Sequence, residues 1–376
     1  MELYTLLILC WCCTKATQGA EGFYNIAHMT NNKDSVLWAV EKGANSVEID
    51  LKFDENGVPL KFYHGSPCDC SCMCPAGGCY ILYPNSVCVQ LEKTSKYPCD
   101  ASSKPKELLN LLAQQESMAM VLIDSKIGSL NKAMQQKAAK KVVALVEKEL
   151  FEKGFQGEVI FGAGKFSSLP YITAISKANS KHKNKIHFTI DQEDMAQTKS
   201  KLDVLENKNI VYNVGESACS PRNVANKKLS HLAALNKVKG VWGMTYTWSV
   251  DRHSTLDWYT NYFTGIITNY PGTLANIVKN KKIKLATPSD IIPPATSSET
   301  VTSNSNYESC DCDYFSGGCK IVKKAPKGMA CQCDYHFLWS CQGWVVLCSD
   351  SNRDSCKSPD NSKQSCLEGR GGCGGY

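Results

Sequence analysis

Residues 46–53 read SVEIDLKF. Side chains alternate between the two faces of an extended strand, so Val47, Ile49, Leu51 and Phe53 share one face while Glu48 and Asp50 share the other. Taken alone, the pair fits a strand with one solvated face. The neighbouring sequence asks for more. KFYHG follows after a short turn and carries His64. Short apolar, β-branched runs recur from residue 24 to 285: YNIAHM, MVLID, EVIFG, IHFTID, NIVYNVG, VWGMTYTW and TGIITN. Helical stretches separate most of them. In NKAMQQKAAKKVVALVEKEL, residues 131–150, Ala139, Val142, Val143 and Val146 form one apolar stripe with lysines opposite, the pattern of a helix packed on a core. Such alternation predicts a parallel sheet covered by helices, and eight units over this length predict a (β/α)8 TIM barrel. There are nine strand candidates for eight places, so at least one is misassigned or lies outside the barrel. A doubly wound open sheet is the competing solution, but no Gly-rich phosphate loop follows the first strand.

The chain has 376 residues and is 43% hydrophobic, which suits one large domain with an added module. Its net charge is +6, and residues 301–376 hold eight basic and eight acidic side chains, so the excess lies in residues 1–300. A mild basic excess suits a phosphate-bearing partner or a membrane surface. No long basic run or stacking-aromatic motif points to nucleic acid. Residues 1–19 read as a secretory signal peptide, since the apolar run Leu3–Cys13 is too short to span a bilayer. The 21 cysteines divide into three in that leader, eight between Cys68 and Cys219, and ten between Cys310 and Cys373. Even counts in both later groups are expected of an exported, oxidised protein. Zinc is the alternative for CDCSCMC, but its single-residue spacing does not match zinc-binding loops.

These observations divide the chain into a leader (1–19), a barrel domain (20–286), a Pro/Ser/Thr-rich linker (287–305) and a disulfide-stapled module (306–376). In the module, Tyr335, Phe337, Trp339 and Trp344 either form its small core or bind a carbohydrate or membrane.

Parallel barrels place function at the C-terminal ends of their strands. The first candidate strand ends at His28, the second at Glu48 and Asp50, the third at His64. The fourth ends at Asp124, with Lys126 two residues on, and the late strands end at Trp248 and Asn269. Uncompensated charges gathered at one mouth would cost stability, so the convergence calls for chemistry. Three carboxylates without nearby cysteine suit a hard divalent cation, Mg2+ or Ca2+. Two histidines beside it can serve as nucleophile or base and as acid at a phosphodiester, with Lys126 neutralising developing charge.

AHMTNN, KGANSVEIDLKFDENGVPLKFYHGSPCDC, VLIDSKIGSL, YTWSVDR and GIITNYP resemble, in order and spacing, the sphingomyelinase D/phospholipase D toxins of arachnid venoms, relatives of the glycerophosphodiester phosphodiesterases. The resemblance runs from about residue 23 to 285 and implies a distorted (β/α)8 barrel. It implies that His28 is nucleophile or base, that His64 is its acid–base partner, and that Glu48, Asp50 and Asp124 bind Mg2+. Lys126, Tyr246, Trp248 and Asn269 fall where the family contacts phosphate and head group, and Asp251 lies in the same motif. The implied reaction releases choline or ethanolamine from sphingomyelin and lysophospholipids at a membrane surface, and the lipid's own hydroxyl closes a cyclic phosphate. Trp248 against a quaternary ammonium would form a cation–π contact. A secreted monomer is expected. Implied disulfides are Cys68–Cys74 and Cys70–Cys219.

The chain departs from that family in three places. Cysteines 72, 79, 88 and 99 imply an enlarged loop after His64, whose Tyr80, Ile81, Leu82 and Tyr83 either insert at a bilayer interface or pack on the barrel. ATPSDIIPP keeps the start of the family's barrel-plugging tail but loses its Asn and Trp. The Cys-rich module is additional. Two other readings stand beside the lyase: a glycerophosphodiester-type hydrolase, and a non-catalytic binding protein working through its tail. Met29 after His28, where the hydrolases usually carry Arg, favours the lyase, and the presence of both histidines and all three carboxylates disfavours an inactive barrel.

Overall fold

The computed structural model describes residues 22–64, 102–215, 233 and 240–296, together with the backbone of short strands between residues 311 and 346. The leader, the cysteines of both implied disulfides and the Tyr80–Tyr83 stretch lie outside the described residues.

Eight parallel strands make the barrel: β1 (Tyr24–Ala27), β2 (Ser46–Phe53), β4 (Met120–Lys126), β5 (Glu158–Ala163), β6 (Ile186–Ile190), β7 (Val211–Gly215), β8 (Met244–Trp248) and β9 (Gly265–Thr268). Their order is β6-β5-β4-β2-β1-β9-β8-β7, and a parallel bridge between Phe188 and Ile210 joins the two ends. That bridge excludes the doubly wound open sheet. Around the outside run α1 (Lys33–Glu41), α2 (Pro105–Ala113), α3 (Lys132–Glu149), α4 (Leu169–Ser176), α5 (Met195–Leu202), α6 (His253–Tyr259) and α7 (Pro271–Asn280).

The alternation in SVEIDLKF divides two apolar layers. Val47, Ile49 and Leu51 are fully buried against the helices, in one cluster with the α3 stripe of Ala139, Val142, Val143 and Val146. A separate cluster fills the barrel interior and includes Tyr24, Ile26, Met120, Leu122, Ile160, Met244 and Tyr246. Glu48 and Asp50 belong to that inner face, so their polar side is the barrel's lumen.

KFYH is the strand that lies outside the barrel. β3 (Pro59–Phe62) runs antiparallel to β2, with Leu51 opposite Phe62 and Lys52 opposite Lys61. β2 overshoots the mouth, turns through Asp54–Val58, and β3 carries the chain back down. The turn needs Gly57: its φ is +70°, and a Cβ there would meet the Met134 carbonyl oxygen of α3 at 2.8 Å. His64 therefore reaches the mouth from a returning hairpin, and the Tyr63 amide donates to the Asp50 carbonyl at 2.8 Å.

Residues 287–296, within the segment whose composition reads as linker, run across the closed end. Asp290 is buried and takes up the Thr287 amide at 2.7 Å and Lys284 at 2.8 Å. Ile292 is 1% exposed and packs in the inner cluster with Ala286 and Met244, at the end where the family tail would place its Trp. The amides of Ala295 and Thr296 donate to the carbonyls of Lys208 and Gly240.

Further on, β10 (Asp311–Cys312) pairs antiparallel with β11 (Cys319–Lys320), and β12 (Met329–Asp334) with β13 (Ser340–Val346). No helix among the described residues is long and apolar enough to cross a membrane.

Candidate active site

A cavity of about 310 Å3 opens at the C-terminal strand ends, and His28, His64, Glu48, Asp50, Asp124 and Lys126 all line it. Tyr246 and Trp248 line its far wall. Asn269 stands behind His28.

The turn after β1 builds the carboxylate site. Met29 adopts φ +49°, unusual for a side chain with a Cβ, and this bends the backbone around β2. Its amide donates to Glu48 Oε2 at 2.7 Å, while the Thr30 amide and hydroxyl both donate to the Glu48 carbonyl. Asn31 clamps Asp50 from both ends: its amide nitrogen donates to Oδ2 at 2.7 Å and its amide oxygen accepts the Asp50 backbone N–H at 2.7 Å. The next residue, Asn32, caps α1 through a reciprocal bond pair with Ser35, which anchors the turn. Asn31 and the Met29 turn are contributors that strand-end reading does not reveal.

Glu48, Asp50 and Asp124 each present a carboxylate oxygen within 4.8 Å of the others. Glu48 and Asp50 are almost fully buried, and Lys126 bridges Asp50 (2.8 Å) and Asp124. Burial, reinforced by the charges of Asp50 and Asp124, pushes the Glu48 carboxyl well above the usual carboxylate range. Burial acts on Asp50 in the same direction, but Lys126, His64 and the Asn31 amide outweigh it and hold Asp50 below that range. Burial would likewise depress Lys126, yet Asp124, Asp50 and Glu48 hold its ammonium far above its ordinary value. Three acceptors facing one lysine leave an uncompensated negative site of oxygen donors, which fits a hard divalent cation.

The histidines face each other across this site, with ring centroids 6.5 Å apart and planes at 78°. The His28 amide donates to the Thr268 carbonyl at 3.1 Å, which sets the ring beside Asn269. His28 Nδ1 lies 3.0 Å from Asn269 Oδ1 and 3.4 Å from Ser249 Oγ. Asp251 receives the Asn269 amide nitrogen at 2.8 Å, its backbone N–H at 2.9 Å and the Thr268 hydroxyl at 3.1 Å.

On the far wall, the Trp248 indole N–H lies 3.2 Å from Asp191 Oδ1 and 3.1 Å from Asn213 Oδ1. Burial, with the charge of Asp124 adding to it, raises the Asp191 carboxyl to about 7. Asp191 follows directly on β6, at the end of IHFTID; the strand-end rule that yields Asp124 would also have yielded Asp191. Burial pushes the Tyr246 hydroxyl well above its normal range.

Residues 19–291 match the family model for dermonecrotic toxin SPH. The chain is 26% identical over 287 residues to dermonecrotic toxin LiSicTox-betaID1 of Loxosceles intermedia, covering 71% of this chain and 87% of the toxin. It is 24% identical over 293 residues to LarSicTox-betaID1 of Loxosceles arizonica, covering 74% and 95%. Among solved structures, a protein assigned as a glycerophosphoryl diester phosphodiesterase from Silicibacter pomeroyi superposes with a TM-score of 0.50 at 12% identity, over 71% of this chain and 97% of that one. At that identity the likeness is one of fold.

Proposed function

The chain belongs to the dermonecrotic toxin SPH family, and from that premise we propose that it is a secreted phospholipase D-type phosphodiesterase that removes choline or ethanolamine from sphingomyelin and lysophospholipids. The observation that carries the reading is the convergence of two histidines, three carboxylates and Lys126 on one cavity at the barrel mouth. Glu48, Asp50 and Asp124 would hold Mg2+, which when bound polarises a non-bridging phosphate oxygen.

The remaining roles follow from the chain's own groups. His28 presents Nδ1 to the Asn269 amide oxygen, an acceptor, so the ring carries its proton on Nδ1 and its lone pair on Nε2. That lone pair takes the proton of the lipid hydroxyl as its oxygen bonds to phosphorus. The bond from phosphorus to the head-group oxygen breaks, and His64 supplies the proton that the departing alcohol needs. The product is a cyclic phosphate, and one proton is accepted for each one given. Lys126 offsets charge on the phosphoryl oxygens. Trp248 and Asp191 offer an aromatic face and a carboxylate to the head-group cation.

Phosphorus NMR of the purified protein with sphingomyelin, lysophosphatidyl lipids and Mg2+ tests the reading. A cyclic phosphate that disappears in His28→Ala is the expected result. An open phosphomonoester would replace the lyase with a hydrolase, and no turnover beyond the His28→Ala background would overturn both.

A further inference from the structure

Lys52 follows Glu48 and Asp50 on the same face of β2, one step further out of the barrel. Its register partners are Lys126 on β4 and Lys61 on β3. Directly opposed residues in a ladder point to the same side, so three lysines stand in a row across three adjacent strands. With neighbouring strands about 4.8 Å apart, the row extends about 10 Å outward from the cavity. Lys126, at its inner end, is compensated by Asp50 and Asp124. No carboxylate of the described residues pairs with either of the others. Lys61 lies over the Tyr63 ring, 3.9 Å from its centroid, and both it and Lys52 are partly exposed. Like charges set opposite each other destabilise a strand pair. Here lysines are opposed twice, once between the barrel strands β2 and β4, where Asp50 and Asp124 compensate Lys126, and once across the β2–β3 hairpin.

We propose that Lys52 and Lys61 form a ledge for the phosphate or carboxylate head groups of an anionic lipid surface, which holds the cavity mouth against the membrane. A lipid surface suits the ledge better than a single soluble anion because the same hairpin exposes Val58 (40%) and Leu60 (55%), the pairing of cationic and apolar groups that interfacial binding uses. The inference deepens the lipid-substrate reading above, and its test is read without turnover, so that each can fail alone.

The test is co-sedimentation of the full chain, in chelator, with vesicles of phosphatidylcholine alone or mixed with phosphatidylserine. Each lysine at an anionic surface is worth about five-fold in binding. Wild type should prefer the mixed vesicles, and Lys52→Gln with Lys61→Gln should bind them twenty- to thirty-fold more weakly, by the same estimate of about five-fold each. The double Arg variant should bind as wild type, which separates charge loss from misfolding. Lys153→Gln with Lys279→Gln removes the same charge from the closed end and should leave binding unchanged. Equal binding of wild type to both vesicles, or equal loss in the ledge and closed-end variants, would overturn the proposal.

Discussion

Asn269 turns its amide oxygen toward His28 Nδ1 at 3.0 Å because Asp251 holds its amide nitrogen at 2.8 Å. A carboxylate only accepts, so it fixes which way the amide points, and the amide in turn fixes the histidine tautomer. Asp251→Asn removes that constraint and allows the Asn269 amide to turn over, which would move the histidine proton to Nε2. Turnover should fall by about a hundredfold or more, by analogy with the wrong-tautomer effect in serine proteases. Nitrogen NMR of labelled histidine should show the Nδ1–H form replaced in the variant. Loss of activity with an unchanged tautomer would sink this account.

The carboxylates separate metal binding from folding. The inner side of β2 carries Glu48 and Asp50, while Val47, Ile49 and Leu51 pack outward on the helices. Asp50→Asn and Asp124→Asn should weaken Mg2+ binding by calorimetry and cut turnover by about a hundredfold or more; Asp124→Asn should change the thermal midpoint little, while Asp50→Asn also costs some stability because it takes a buried carboxylate from Lys126 and Asn31. Glu48→Gln should likewise weaken Mg2+ binding with little change in thermal midpoint, since the glutamine side-chain oxygen can accept the Met29 amide in place of Oε2. A collapse of stability in all three would show that these groups hold the fold, not a cation.

Asp191 gives the site a pH dependence. Burial first, and then the charge of Asp124, raises its carboxyl to about 7. Its charge therefore develops between about pH 6 and pH 8, a unit either side of that value. If it faces a cationic head group, KM should fall as pH rises through this window, and Asp191→Asn should flatten the profile in KM more than in kcat. The same shift has the opposite sign for stability. A raised carboxyl binds its proton more tightly when folded, so its contribution to stability is lost as pH rises from about 4 to about 7. Chemical denaturation of wild type and Asp191→Asn across that range should show the variant losing less stability.

Much of the barrel was legible because period-two alternation and strand ends survive in sequence. SVEIDLKF, MVLID and TGIITN each deliver their terminal polar residues to the mouth. Strand direction did not survive in the same way. KFYH looks like any short strand, and periodicity is blind to whether it runs up or down; only the turn through DENG, closed by Gly57 against α3, makes it a returning hairpin. The clamp of Asn31 on Asp50 was hidden for a related reason. Its partner lies 19 residues away, and the contact depends on Met29 adopting a positive φ.

The closed end supplies a prediction about the fold alone. ATPSDIIPP lacks the Trp that the family resemblance would place there, and Ile292 fills the barrel's inner cluster against Ala286 and Met244. Pro293 runs so close beneath β8 that a Cβ on Gly243 would meet its carbonyl oxygen at 2.1 Å, which leaves no room for the segment to slide inward and refill a cavity. Ile292→Ala should therefore cost about 2–5 kcal/mol, near the upper part of the range for poorly collapsible sites. The catalytic groups lie at the opposite end, so activity per folded molecule at low temperature should be retained. Ile292→Trp asks the converse question. If the pocket is shaped around isoleucine, the larger ring overpacks it and the thermal midpoint drops; a rise would mean that the closed end has space for a tryptophan plug.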